Sequence, residues 1–284
     1  MRLSYSRTVT TTDLSKRHHI EEQFHDERTQ HGGKPSARMD FYSSGVNDEH
    51  FRMLLEAAGS LEGKRVLDFG CGRGQTSRIY AELGAARVDG FDISSENIRV
   101  AGKNAKRDGL NDRVFFRHLA AEEIDYPDAF FDLVLGKAIL HHTDLEKTSK
   151  QLARVLRPGG SAYFLEPLAH NPILNLFRWL TPWRRTPTEK PLRLEDLDIF
   201  RKHFEVVSYR GFYLFGLLAN GLLLVTGSRK VFTAALTGLL QFEEPVLSHV
   251  PALQKYCWTA LIQFHKTIDS QDGAAEANRT QARP

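Results

Sequence analysis

The chain has 284 residues, 26% of them charged and 41% hydrophobic, and a formal net charge of +3. That length buries a sizeable core as one elaborated domain or two small ones, and the composition is that of an ordinary globular chain. The small charge argues neither for nor against nucleic acid. Two cysteines, Cys71 and Cys257, one of them inside a glycine turn, predict no structural disulfide and fit a reducing cytosol.

Residues 1–35 are polar and His-rich and predict a partly helical arm. They show no apolar run of the signal-peptide kind. His18, His19, His25 and His31 raise the question of a metal. No cysteine or clear carboxylate set completes a site, so the histidines are expected to lie on a solvated face. Phe51, Leu54, Leu55 and Ala58 share one face of an amphipathic helix over 48–59.

From 64 to about 167, strand and helix patterns alternate, which predicts βαβ units and a parallel sheet. The expected strands are 64–69, 87–92, 113–117, 131–137 and 160–166, with helices at 74–84, 94–108 and 144–156. Ser94 or Ser95 caps the second of these helices and Asp144 the third. Arg157-Pro158-Gly159-Gly160 reads as a turn.

Residues 167–193 gather Pro, Arg and Trp and predict a loop-rich segment over the sheet, followed by a helix at 194–202 and a strand near 204–212. From Gly211 to Ser228 no residue is charged, and the apolar pattern resumes after Arg229-Lys230 through Phe242. A stretch at 256–264 supplies the last strand, and 269–284 has the composition of a disordered tail.

The chemistry concentrates at strand ends. Val66-Leu67-Asp68-Phe69-Gly70-Cys71-Gly72-Arg73-Gly74 runs from an apolar strand through a G-x-G-x-G turn into a helix. Such a turn lets the backbone approach a ligand, and the exposed N–H groups of the helix start favour an anionic group. About 20 residues on, Asp92 ends the second strand, where a carboxylate accepts hydrogen bonds from ribose hydroxyls.

VLDFGCGRG, GFDIS, AEEIDYPDAFFDLVL, LHH and ARVLRPGG stand in order over residues 60–167. With them the chain resembles a class I S-adenosylmethionine-dependent methyltransferase of the quinone-biosynthesis and small-molecule branch. The resemblance implies an α/β fold: a Rossmann-like, mostly parallel sheet with an antiparallel last strand, helices on both faces, an N-terminal helical arm and a late apolar helical insertion. It implies S-adenosylmethionine as cofactor, S-adenosylhomocysteine as product, and no metal. Asp68, Gly70 and Gly72 would line the methionine part, with Phe69, Cys71, Gln75, Thr76 and Gly136 close by. Asp92 would hold the ribose, with Ile93, Ala121 and Glu122 at the adenine. Many relatives carry Asp where this chain has Ala120. Tyr42 belongs to the arm that folds over the cofactor in similar enzymes.

Methyl transfer asks for alignment and exclusion of water, and for a base when the acceptor is a hydroxyl or a protonated amine. His141 and His142, past the fourth strand, are the candidate bases. Glu166, Arg178 and Arg185 are candidate substrate contacts, with packing or surface pairing as their alternative roles. The expected organisation is an arm and cofactor lid over 1–47, a methyltransferase domain over 48–268 with an insertion at about 211–250, and a tail over 269–284. Three readings of the insertion stand: a hydrophobic lid, a homodimer face, or a membrane contact. They point to a cytoplasmic or membrane-associated enzyme acting on a hydrophobic small molecule, with O, N, C or S as acceptor and no nucleic acid partner. Two rivals stand beside it: a lipid or quinone methyltransferase at a membrane, and an enzyme of this fold that binds the cofactor without transferring its methyl group.

Overall fold

The computed structural model describes residues 11–30, 46–181, 186 and 188–267. Tyr42, His31, Arg184, Arg185 and the expected tail lie outside the described residues.

Seven strands form one sheet: β1 (Arg65–Phe69), β2 (Arg87–Asp92), β3 (Val114–His118), β4 (Phe131–Lys137), β5 (Leu156–Pro167), β6 (Val206–Phe212) and β7 (Thr259–His265). Their order is β3-β2-β1-β4-β5-β7-β6. β1 to β5 run parallel, and β7 lies antiparallel between β5 and β6. The central strands are buried on both faces, which explains their near-continuous apolar sequences. The pleat divides each strand between two cores. Leu67, Phe69, Val134, Ala162 and Phe164 face one. Val66, Leu133, Leu135, Tyr163 and Leu165 face the other.

The second core is closed by α2 (Val46–Ala58), through Leu54 and Ala58, and by α3 (Gln75–Glu82), through Tyr80 and Ala81. α4 (Ser95–Arg107) adds Ala105 to the same core. Ser94 caps α4 by accepting the Asn97 N–H at 3.0 Å. Asp144 caps α5 (Leu145–Val155) by accepting the Lys147 N–H. Both caps are those the sequence predicts. β5 departs from expectation by beginning at Leu156: the Pro158-Gly159 turn sits inside the strand, where the register with β4 shifts.

The segment expected to be loop-rich contains a helix, α6 (Pro172–Leu180). Asn171 caps it, accepting from the Ile173 and Leu174 N–H groups, and Pro172 takes the first position, where a missing N–H costs nothing. A short helix, α7 (Leu197–Phe200), precedes β6. The late insertion is a helical hairpin between β6 and β7, formed by α8 (Leu217–Thr226) and α9 (Arg229–His249). Glu243 of α9, 3% exposed, fixes the connection from β6. Its carboxylate accepts the N–H groups of Tyr213, Phe215 and Gly216 at 2.7, 2.9 and 3.2 Å. Among the described residues no helix is long and apolar enough to cross a membrane.

The remaining helix, α1 (Thr11–Gln30), is the arm. It packs against α4 and reaches the segments after β3 and β4, with His18 at Glu122 and Glu21 at His142. Asp26 ties it to the start of α4, accepting the Ser94 hydroxyl at 2.5 Å, the Ser95 hydroxyl at 3.2 Å and the Glu96 N–H at 3.1 Å. A carboxylate at a helix N-terminus is stabilised by the unpaired N–H groups there.

Candidate active site

The order β2-β1-β4 reverses the direction of chain progression at β1, and a crevice opens beyond the carboxyl ends of these strands. A cavity fills it. Its lining includes Gly70, Gly72, Asp92, Ile93, Ala121, Glu122 and His142, which brings together seven of the residues the sequence singles out.

At the β1–β2 end the glycine turn forms the floor. Gly70 and Gly72 hold φ of 75° and 52°, a region glycine adopts freely. A Cβ at Gly72 would meet no atom within 4 Å, so the turn leaves an open cradle. Asp92 closes its side. Oδ2 accepts the Gly72 N–H at 2.9 Å; Oδ1 accepts the Ser94 N–H at 2.9 Å and the Asn97 amide at 3.1 Å. An ionised carboxylate has about four acceptor positions, so one on Oδ2 stays open beside the cradle. Ile93, Leu119 and Ala121 supply apolar wall. Glu122 stands at the far side, accepting the Asp144 N–H at 2.6 Å and facing His18 Nε2 at 3.1 Å. Burial works against its charge, but these two contacts outweigh it and lower its carboxyl below the ordinary value.

The β4 end is polar and composite. The chain turns sharply after β4 at Ala138, whose φ of 54° is unusual for a side-chain-bearing residue. Ile139 and Leu140 follow, and both donate their N–H groups to Glu166 Oε1 at 2.9 Å. His141 Nδ1 lies 2.6 Å from Glu166 Oε2. Glu166 is fully buried and serves as a clamp that fixes this loop. His142 then projects into the cavity, where the arm delivers Glu21, 3.1 Å from its Nδ1. Glu21 Oε1 accepts the hydroxyls of Thr186 (2.8 Å) and Thr188. The Lys190 N–H bonds the His141 carbonyl, which holds this threonine-bearing segment at the site.

Burial opposes ionisation of Glu21, yet contact with His142 and the threonine hydroxyls hold its carboxyl at about 2. His142 responds in the opposite sense: burial alone would lower it, and Glu21 raises it above the ordinary imidazole value. His25, one turn beyond Glu21, also lines the cavity, and burial lowers its value.

Several expected site residues do not line the cavity. Asp68 turns toward α3, accepting Thr76 and Ser77 hydroxyls at 2.8 and 2.5 Å, and burial pushes its carboxyl up to about 6. Thr76 is occupied by that bond. Phe69 is core, and Cys71 is buried against Gly90. Gln75 is exposed at the start of α3. Gly136 lies beneath the Phe164 ring, where any side chain would collide. Arg178 ties α6 to the Leu168 carbonyl and Asn175. His141 and Glu166 form the buried clamp.

Conversely, His18 and His25 were expected on a solvated face, and the structure turns them into the cavity together with Glu21, which carried no expectation, because α1 packs across it. The available signal was Glu21 and His25 four apart, on one helical face. Asn97, Lys137, Ile139 and Thr143 also line the site and carried no sequence signal.

A family described as a methyltransferase domain matches residues 67–164. A ubiquinone biosynthesis O-methyltransferase of Rhizobium rhizogenes is 34% identical over 171 residues, 54% of this chain and 68% of that protein. The 27-O-demethylrifamycin SV methyltransferase of Amycolatopsis mediterranei is 38% identical over 122 residues, 42% of this chain and 45% of that one. The chain spans from under half to about two thirds of the length of the curated relatives it matches. Geranyl diphosphate C-methyltransferase from Streptomyces coelicolor shares the fold, with a TM-score of 0.62 over 88% of this chain and 98% of that one at 12% identity. The chain belongs to the class I S-adenosylmethionine-dependent methyltransferase family.

Proposed function

We propose that this member of the family transfers a methyl group from S-adenosylmethionine to a hydroxyl of a hydrophobic small molecule. The observation that carries the reading is the cavity's division of labour. A glycine cradle beside an open carboxylate position stands at one end, and a His–Glu pair behind a packed helix at the other.

The residues present fit the cofactor. Asp92 would accept a ribose hydroxyl at its open Oδ2 position. Gly70 and Gly72 would receive the methionine part, and Ile93, Leu119, Ala121 and Glu122 would hold the adenine. When bound, the sulfonium supplies an electrophilic methyl group. Every other contribution belongs to the chain. The arm α1 covers the cleft as its lid and keeps out water. His142 is the catalytic histidine, accepting the acceptor's proton, and Glu21 positions it. His141 and Glu166 are positioning residues that hold the loop bearing His142. The substrate class is supported by the quinone-pathway and rifamycin relatives, both named for oxygen acceptors.

The experiment is transfer of a labelled methyl group from S-adenosylmethionine into a cell extract, separated into organic-soluble, polar and macromolecular fractions. Label in the organic-soluble fraction is expected. Label confined to protein or RNA would overturn the substrate class.

A second reading, that the enzyme works at a membrane surface, is favoured by one observation. Ile173 and Trp179 of α6 and Val225 of α8 are 63%, 75% and 86% exposed, and Leu174 of α6 and Leu217 and Leu223 of α8 pack against one buried cluster. The only charges from 206 to 242 are Arg210, Arg229 and Lys230, all positive. Apolar faces with basic flanks suit an anionic bilayer. Co-sedimentation with anionic vesicles, lost in a Trp179→Ser/Val225→Ser variant, is the expected result; no sedimentation removes this reading.

A further inference from the structure

We infer that Glu21, His25 and His142 form a binding site for a late first-row divalent cation of the Zn²⁺ type, set at the acceptor end of the cavity. Glu21 and His25 stand one turn apart on the inner face of α1, and His142 comes from the loop after β4 on the opposite wall. Glu21 Oε2 lies 3.1 Å from His142 Nδ1 and 3.8 Å from His25 Nε2, and one donor atom from each of the three residues falls within 4.8 Å of the others. Ligand atoms at about 2.0–2.2 Å from such a cation sit roughly 3–4 Å from one another, so small side-chain adjustments complete the site.

Two atoms separate this cluster from an ordinary ion pair. Glu21 Oε2 and His142 Nδ1 are both buried and 3.1 Å apart, close enough to attract one another but not aligned as a hydrogen bond, and neither has another hydrogen-bond partner among the described residues. Alignment of the two would satisfy both, and the structure does not align them. A third centre bonded to both atoms satisfies them at once. The other oxygen of Glu21 is already taken by the hydroxyls of Thr186 and Thr188, the kind of outer support that orients a ligating carboxylate. His141, His142 and Glu189 form a neighbouring group, but His141 Nδ1 is engaged by Glu166.

Two imidazoles and one carboxylate set the class of ion. Mg²⁺ and Ca²⁺ take oxygen ligands, whereas imidazole suits Zn²⁺, Co²⁺ and their neighbours. Three protein ligands leave coordination positions open, as in catalytic sites. Because all three residues line the cavity, those positions face the space where the acceptor docks. The inference deepens the function proposed above, and its role in acceptor binding rests on that reading. In the loaded state the cation takes the place of the proton that His142 carries beside Glu21, so His142 acts as a ligand and no longer as the proton acceptor; an acceptor oxygen becomes the cation's further ligand and releases its proton to water.

The test uses the full chain without a tag, stripped with chelator and titrated with Co²⁺, whose visible absorption reports nitrogen and oxygen coordination. One Co²⁺ per chain, displaced by Zn²⁺, is expected. Glu21→Gln and His25→Ala should each weaken binding by at least about tenfold. His19→Ala, on the exposed side of α1, should leave it unchanged, as should Asp92→Ala. That last variant separates the two claims: if it loses S-adenosylhomocysteine affinity and keeps the Co²⁺ band, both stand. A wild-type protein that binds the cofactor and shows no Co²⁺ band overturns the cation site alone. A band of equal affinity in the Glu21→Gln/His25→Ala double variant, with its circular dichroism unchanged, overturns it as well.

Discussion

At the β1–β2 end of the cavity, the glycine turn and Asp92 come from one βαβ unit, and their contacts are largely backbone N–H groups of neighbouring residues. At the β4 end, Glu21, His142, Glu166 and Thr186 come from four separate segments and meet through side chains. The first end is fixed once its two strands pair. The second exists only after α1, the β4 loop and the segment after α6 have all docked. The cofactor end therefore behaves as part of the fold, and the acceptor end as an assembly laid over it.

Removing Glu166 gives the largest expected effect. Glu166→Ala strips two buried N–H groups and His141 of their common acceptor, which should cost about 3–5 kcal/mol in urea unfolding. It should also abolish transfer, because the loop bearing His142 loses its anchor. A cost below about 1 kcal/mol would mean that the loop is held by something else.

Glu243 sharpens the comparison, since it makes a similar clamp away from the cavity. Glu243→Ala should cost about 2–3 kcal/mol by the same measurement while S-adenosylhomocysteine affinity stays unchanged. A loss of affinity would show that the hairpin of α8 and α9 reports to the site.

Gly72 and Gly63 both hold positive φ, at 52° and 70°, with open space where a Cβ would go, and only Gly72 lines the cavity. Alanine at either position should cost about 1–2 kcal/mol of stability. Cofactor affinity, measured by calorimetry, should fall only for Gly72→Ala. Equal affinities would place the ligand away from the cradle.

The smallest effect is a displacement along the pH axis. Glu21 raises His142 above its ordinary value, and proton acceptance needs the neutral imidazole. In metal-free enzyme kcat/KM should therefore fall as pH drops through that raised value, and Glu21→Gln should move this acid limb to lower pH. The stability linkage has the opposite sense. A raised imidazole contributes stability below its unfolded pKa of about 6.5, and the contribution is lost as pH rises through the folded value. An acid limb that does not move would show that His142 is not the group titrating.

The sequence carried the β1–β2 end well because its signals are local. An acid ending a strand, three glycines at fixed spacing, and the caps Ser94 and Asp144 are all readable within a few residues of one another. The boundaries of β1, β2 and β4 followed for the same reason, whereas β5 begins four residues earlier than its turn residues suggest. The arm was misread because the fate of a His-rich polar helix depends on what it packs against. Glu21 finds His142 and Thr186 at sequence distances no pattern reports. His141 and His142 look alike in sequence and differ in the structure because one faces Glu166 and the other the cavity. The helix α6 was legible after all, in Asn171-Pro172, and was masked by the Pro and Arg residues that follow.

The most direct measurement is calorimetric titration of S-adenosylhomocysteine into the wild-type chain and into Asp92→Ala. Binding at one site per chain, weakened by about 10–100-fold in the variant as a hydrogen bond to a charged acceptor is lost, is the predicted result. An unchanged affinity in Asp92→Ala, or no binding to the wild type, would contradict the placement of the cofactor in this cavity.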